Sequence, residues 1–114
     1  MNEGLPRSER LTRQRDIDEV YRRGRRWHGR LLRVHVKGNE LAFSRFAVSV
    51  PRRLCRAVGR NRWKRLLRES FRRNKAAIGP GLDIVAVPTA PPGHLKRPAV
   101  EAALLELIRR HRNR

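Results

Sequence analysis

Cysteine is almost missing from this chain. Cys55 is the only one in 114 residues, which excludes an internal disulfide and any zinc site built from several thiolates. His28, His35, His94 and His111 do not make up the deficit, because their spacing matches no ligand pattern. No metal-ligating set is therefore assigned. Long apolar runs are also missing, so no segment can cross a bilayer as a helix. The start, MNEGLPRSER, lacks the apolar centre of a secretory signal. With one cysteine and no such signal, the expected setting is the reducing cytoplasm. Acidic residues are scarce: 10 Asp and Glu stand against 29 Lys and Arg, for a formal net charge of +19.

What is present is enough for one core. Hydrophobic residues make up 39% of the chain, which suits a single domain spanning residues 1–114. The polar ends, 1–11 and 112–114, are expected to be flexible. A chain this basic requires a polyanion, and nucleic acid is the leading source of phosphate. An anionic membrane fits less well, since no outward-facing apolar amphipathic segment accompanies the charge.

The order of elements follows from periodicity. Thr12 is a good N-cap residue type, and Ile17, Val20 and Tyr21 recur at helical spacing, so a first helix is expected to run to Arg23 with Gly24 as its stop. Residues 24–30 read as a basic loop. From Leu31 to Lys37 the pattern alternates: Leu32, Val34 and Val36 face one way, and Arg33, His35 and Lys37 the other. After a Gly38-Asn39 turn, residues 44–50 alternate again, with Phe46, Val48 and Val50 on one face, up to Pro51. Residues 52–58 are a basic connection that could contain a short strand. A helix follows to about Lys75, broken by Gly79-Pro80-Gly81. DIVAV, residues 83–87, reads as a central strand. The last helix begins at Pro98 and aligns Val100, Leu104, Leu107 and Ile108. The reading is an α+β fold, an α/β sandwich of order α-β-β-(β)-α-β-α, with a small mixed sheet packed against helices.

The most informative stretch is RNRWKRLLRESFRRNK, residues 60–75. At about 100° per residue, Trp63, Leu66, Leu67, Ser70 and Phe71 share one sector, and Asn61, Lys64, Arg65, Arg68, Arg72 and Lys75 share the opposite one. Arg62 and Arg73 flank the apolar stripe. Glu69 can pair with Arg65 or Arg73 at i±4, for roughly 0.2–0.5 kcal/mol. One carboxylate cannot offset eight cations. A solvated helix face would explain polarity, but not charge of nearly one sign. Arginine, which predominates, forms bidentate bonds to phosphate.

RNRWKRLLRESFR resembles the signature of the protein subunit of bacterial ribonuclease P, carried here by Arg60, Asn61, Arg62, Lys64, Arg65, Arg68, Glu69, Phe71 and Arg72. DIDEVYRRGRR resembles that family's first helix, FAVSVPRR its second strand and following basic pair, and GLDIVAV its late strand. These segments occur in the family's order and cover most of residues 10–110. The resemblance implies a left-handed β-α-β crossover around the basic helix, against the general right-handed rule. It implies a protein that assists an RNA catalyst in the endonucleolytic removal of the 5′ leader of precursor tRNA. The enzyme is then an RNA-based endoribonuclease, and this chain supplies no catalytic residue. Its Mg2+ is bound mainly by the RNA.

The implied partners are ribonuclease P RNA and precursor tRNA, with no membrane, the chain acting as a monomer within the ribonucleoprotein. Arg60, Asn61, Arg62, Lys64, Arg65, Arg68 and Arg72 are expected to face the catalytic RNA, with further contacts from Arg52 and Arg53. The leader is expected in a cleft between the first helix and the sheet, at Ile17, Tyr21, Arg33, His35 and Lys37. Where the family often carries aromatic residues, this chain has Ile17, Tyr21 and His35. Tyr21 can stack on a base, and His35 can stack when neutral or meet phosphate when protonated. Ile17 and Tyr21 also have core spacing, and His35 can equally be an exposed strand residue. Trp63 reads as core, whereas Trp27 fits either role. Asp16, Asp18 and Glu19 read as charges near a helix start and as ion-pair partners. A ribosomal or other structural RNA-binding protein is the alternative from composition and fold. A self-contained basic nuclease is a third reading, without carboxylates from several elements to support it.

Overall fold

Strand alternation determines the centre of the molecule. In the computed structural model, which describes residues 5–114, Leu32, Val34 and Val36 lie on one face of strand β2, Leu32–Gly38, and all are buried. β2 pairs antiparallel with β4, Leu82–Pro88, in which every residue is buried. β4 is flanked on its other side by β3, Arg45–Val48, in parallel. The sheet order is β1-β2-β4-β3. The expected central position of DIVAV thus follows from its lack of a polar face.

Among the described residues four α-helices accompany the sheet: α1, Gln14–Arg23; α2, Ala57–Arg73; α3, Lys75–Ile78; and α4, Arg97–Arg112. Trp63, Leu67 and Phe71 of α2 and Val100, Leu104, Leu107 and Ile108 of α4 pack on the sheet face that carries Val34, Phe46, Ile84 and Ala86. Phe71 stacks on Phe46, with ring centroids 4.6 Å apart. Trp63 is fully buried and satisfies its indole N–H at the Ala90 carbonyl, 2.8 Å away. The opposite sheet face carries Val85 and Val87, which pack with Leu11 and Val20; Ile17 and Ala47 complete that smaller cluster. The sheet therefore holds α1 on one side and α2 with α4 on the other.

Several local expectations are corrected. Residues 24–30 are not a loop: Arg25–His28 form β1, paired antiparallel with β2. RRWH has no apolar alternation because it is an edge strand with mostly exposed side chains. Gly24 does not adopt the left-handed stop conformation, its φ being −82°. A side chain there would place Cβ 2.5 Å from the Val20 carbonyl oxygen and 2.7 Å from that of Val36. Glycine allows the α1 end to approach β2. Residues 52–58 contain no strand; Arg52–Leu54 form one 3-10 turn.

The basic helix starts earlier than its charge pattern, at Ala57. It ends at Arg73, where Asn74 leaves helical geometry before α3. The Ser70 hydroxyl donates to the Leu66 carbonyl, and the Asn74 amide donates to the Ser70 carbonyl, both at 2.8 Å. Such bonds to carbonyls one turn back draw acceptors from the helical ladder. The expected flexible N-terminal segment is packed from Leu5 onward: Leu5 and Leu11 are buried, and the Leu11 amide bonds the Phe46 carbonyl at 3.0 Å. Residues 1–4 of that expectation lie outside the described residues. At the other end, Arg112 belongs to α4 and donates to the carbonyls of Ile78 and Pro80. Arg114 donates to the His111 carbonyl.

Candidate nucleic-acid interface

Burial of the apolar sector of α2 leaves its cations facing out, and the structure sorts them. Asn61, Arg65 and Arg68 are exposed, and Lys64 is half-buried. The side chains of Lys64, Arg65 and Arg68 make no hydrogen bond or ion pair among the described residues. Arg68 instead faces Arg10 from the N-terminal segment; burial first, then that like charge, pulls its guanidinium pKa below the ordinary value.

Three other expected RNA contacts have partners within the chain. Arg60 donates to the Cys55 carbonyl at 3.0 Å. Arg62 donates to the Leu95 carbonyl, tying α2 to the segment before α4. Arg72 forms a two-pronged pair with Glu69, at 2.7 and 2.9 Å. Glu69 thus pairs at i+3, not with Arg65 or Arg73 at i±4 as the spacing suggested. That bond, followed by the opposing influence of burial and then the charges of Arg72, Arg73 and Arg97, holds its carboxyl below the usual range. Arg52 and Arg53 are exposed in the turn after β3, with no hydrogen-bond or ion-pair partner among the described residues.

The second surface lies across the sheet, on the α1 side. Pairing places Arg26, His35, Val85 and Ala47 in one row, His28, Arg33 and Val87 in the next, and Lys37, Asp83 and Arg45 in a third. α1 packs over β2 and β4, bringing Tyr21 edge-on to His35 with ring centroids 4.5 Å apart. Tyr21 remains 38% exposed, while His35 is only 6% exposed. Ile17 is half-buried against the small cluster, so it is core on one side and accessible on the other. Arg33 Nε donates to His35 Nε2 at 3.2 Å. Three expected leader residues, Arg33, His35 and Lys37, therefore share one sheet face, with Lys37 at its far end, and Ile17 and Tyr21 lie on the helix packed over it.

His35 is not the exposed strand residue of one reading, nor a cation. Burial chiefly, then Arg33, Arg26 and His28, lowers its pKa to about 4. A neutral ring accepts the Arg33 bond and offers π surface beside Tyr21. Trp27 takes the structural role: its indole N–H donates to His111 Nδ1 at 3.1 Å.

Residue pattern did not reveal one feature of this face. Asp83, 3% exposed, receives Arg45 through two bonds at 2.9 and 2.7 Å and the Asn39 amide at 2.8 Å. Arg45 also reaches Asp16 on α1 at 3.6 Å. The bond to Asp83 raises the Arg45 pKa, although burial opposes it. The signal was an acid opening an apolar strand in a chain with few acids: a buried carboxylate needs a cation and hydrogen bonds. Glu19 pairs with Arg22 and Arg23, so Asp16 and Glu19 are ion-pair partners, whereas Asp18 accepts from the Gln14 amide at 2.9 Å. Among the described residues no group of His, Cys, Asp or Glu could hold a metal ion. Among the described residues, Asp16, Glu19, Glu69 and Asp83 are committed to arginines.

Comparison with known proteins yields a consistent picture. The family model for Ribonuclease P matches residues 5–112. The ribonuclease P protein component of Thermotoga maritima is 39% identical over 88 residues, covering 77% of this chain and 75% of that protein. That of Lachnoclostridium phytofermentans is 33% identical over 105 residues, covering 92% and 90%. The solved RNase P protein from Thermotoga maritima superposes with a TM-score of 0.82 at 33% identity, covering 90% of this chain and 96% of that one. The Staphylococcus aureus RNase P protein gives 0.79 at 26% identity, covering 90% and 94%. The match spans both cationic faces and the sheet between them, and the chain belongs to the ribonuclease P protein family.

Proposed function

We propose that this chain binds the catalytic RNA of ribonuclease P through the exposed side of α2 and the single-stranded 5′ leader of precursor tRNA through the α1 face of the sheet. The observation that carries this reading is the division of cations between two opposite surfaces. On one, Lys64, Arg65 and Arg68 stand on a helix whose other side is locked into the core, without an internal carboxylate partner. Such a rigid row suits the phosphates of a folded RNA. Asn61, Arg52 and Arg53 extend it. Arg60, Arg62 and Arg72 act mainly by shaping the helix surface through bonds to Cys55, Leu95 and Glu69.

On the other surface, Tyr21 and His35 form an aromatic corner beside Arg33 and Lys37. Stacking with nearby cations suits a single strand and is tolerant of base identity. The RNA subunit performs phosphodiester hydrolysis and holds the Mg2+ it needs, and the protein raises affinity for the leader-bearing substrate. No helix of the described residues is long and apolar enough to cross a membrane, and the protein acts as a monomer within a cytoplasmic ribonucleoprotein. Reconstitution with a bacterial ribonuclease P RNA at low Mg2+ tests the reading. The protein should stimulate cleavage of precursor tRNA by that RNA and cut nothing alone. Cleavage by the protein alone, or no stimulation of the RNA, would refute it.

A further inference from the structure

A third cationic site lies where the end of α1, the β1-β2 pair and the end of α4 meet. It is a cavity of about 270 Å3. Arg23, Arg25, Lys37, Arg112 and Arg114 line it together with His111, and no Asp or Glu does. Its charges are held but little neutralised. Arg112 is fixed by the Ile78 and Pro80 carbonyls, and Arg114 by that of His111. Lys37 donates to the Gly38 carbonyl at 3.1 Å. The Arg25 side chain makes no hydrogen bond or ion pair among the described residues. Of the lining cations, Arg23 has a carboxylate partner, Glu19 at 3.2 Å from its Nε in an exposed pair, which counts for little. Five cations around one concavity repel each other unless an anion enters. His111 on the cavity wall is held neutral chiefly by burial, and then by Arg114, Arg112 and Arg25, which together bring its pKa to about 4.

Position identifies the anion. Lys37 belongs both to this cavity and to the α1 face of β2, two residues beyond His35. Arg23 is two residues beyond Tyr21 on α1. The cavity therefore continues the track of Arg33, His35 and Lys37 past the aromatic corner, around the sheet edge towards α4. We propose that it binds a backbone phosphate of the leader, beyond the nucleotides at Tyr21 and His35, as a distal subsite. This rests on the leader reading above. A phosphate fits the site because Arg112 and Arg114 are already oriented by backbone carbonyls, so little side-chain freedom is lost on binding.

The test uses enzyme reconstituted with a bacterial ribonuclease P RNA and precursor tRNAs carrying leaders of graded length. Binding is measured for the parent, Arg25→Ala, Arg25→Ala with Arg114→Ala, and Arg25→Lys. Parent affinity should rise with leader length to a plateau. The double variant should reach its plateau at a shorter leader and bind long leaders several-fold more weakly. Its salt dependence on long leaders should fall by about 0.7 in log–log slope for each phosphate that is no longer neutralised. Short-leader precursor and mature tRNA should bind unchanged, and Arg25→Lys should recover most of the affinity. Unchanged affinity at every length would overturn the subsite. So would equal weakening for mature tRNA, which would place the interaction on the tRNA body or the catalytic RNA. Tyr21→Ala, measured alongside, separates the two readings. If it weakens leader-bearing substrate while the arginine variants do not, only the distal subsite fails. If it has no leader-dependent effect, the leader face itself fails.

Discussion

Replacing Arg65 and Arg68 together by alanine should separate RNA binding from stability, because the structure assigns these side chains no supporting role. Both are exposed and neither has a hydrogen-bond or ion-pair partner among the described residues. Arg68 also faces Arg10, so its removal relieves a like-charge repulsion. Alanine is the better helix former, and surface changes of this kind stay within about 0.5 kcal/mol. The variant should therefore melt at or slightly above the parent's temperature. RNA binding should move the other way. If each arginine neutralises one phosphate of a duplex region, the log–log salt slope should shrink by about 0.9 per residue, or about 1.8 in all. Over a fourfold rise in salt, from about 50 to 200 mM, the parent's affinity should then fall about twelvefold further than the variant's. Filter binding or fluorescence anisotropy on the catalytic RNA across that range, with a thermal melt of each protein, reads both quantities. An unchanged slope in a folded variant would refute the assignment of this helix face. A large drop in melting temperature would show that the cations support the fold.

Arg62→Ala should behave oppositely, costing about 1.5–3 kcal/mol through its bond to the Leu95 carbonyl while leaving the salt slope intact; a reduced slope without destabilisation would restore Arg62 to the RNA-binding set. Phe71→Ala removes the ring stacked on Phe46 and should cost about 3–5 kcal/mol in denaturant unfolding, so a parent-like melt with abolished RNA binding would reverse the helix orientation. Tyr21→Ala should weaken precursor tRNA binding by about 1–3 kcal/mol and spare mature tRNA, and equal effects on both would remove it from the leader face. His35→Ala should act in the same direction but more weakly, with no change in its effect between about pH 6 and 9, because a pKa near 4 keeps the ring neutral throughout. An effect that fades as pH rises through that range would mean His35 meets phosphate as a cation.

His111 and Trp27 show where local pattern stops being informative. Both sit among arginines, and nothing within a few residues of either indicates a partner. They meet because α4 returns beside β1, 84 residues apart in sequence. β1 was hidden for a related reason. An edge strand needs a partner's free backbone groups more than an apolar face of its own, and β2 supplies them. The Arg45 and Asp83 pair likewise needs the parallel β3-β4 register before its charges can meet.

The sequence by itself determined the main elements: the alternation in 32–36, that in 46–50 as far as Val48, the apolar run 83–87, and the helical stripes of Trp63, Leu67, Phe71 and Val100, Leu104, Leu107. Their side chains must leave water, and the period of each stripe dictates the element that can bury it. The net charge and the motif carried by Arg60 to Arg72 likewise pointed to the family and to RNA. Which cations remain available was decided only by the tertiary structure. Arg62, Arg65 and Arg68 are alike in a one-dimensional reading of the same helix. Packing places the Leu95 carbonyl within reach of the first, solvent beside the second, and Arg10 beside the third. A long, flexible side chain takes its role from whatever the fold brings to its end, and that neighbour comes from another part of the chain.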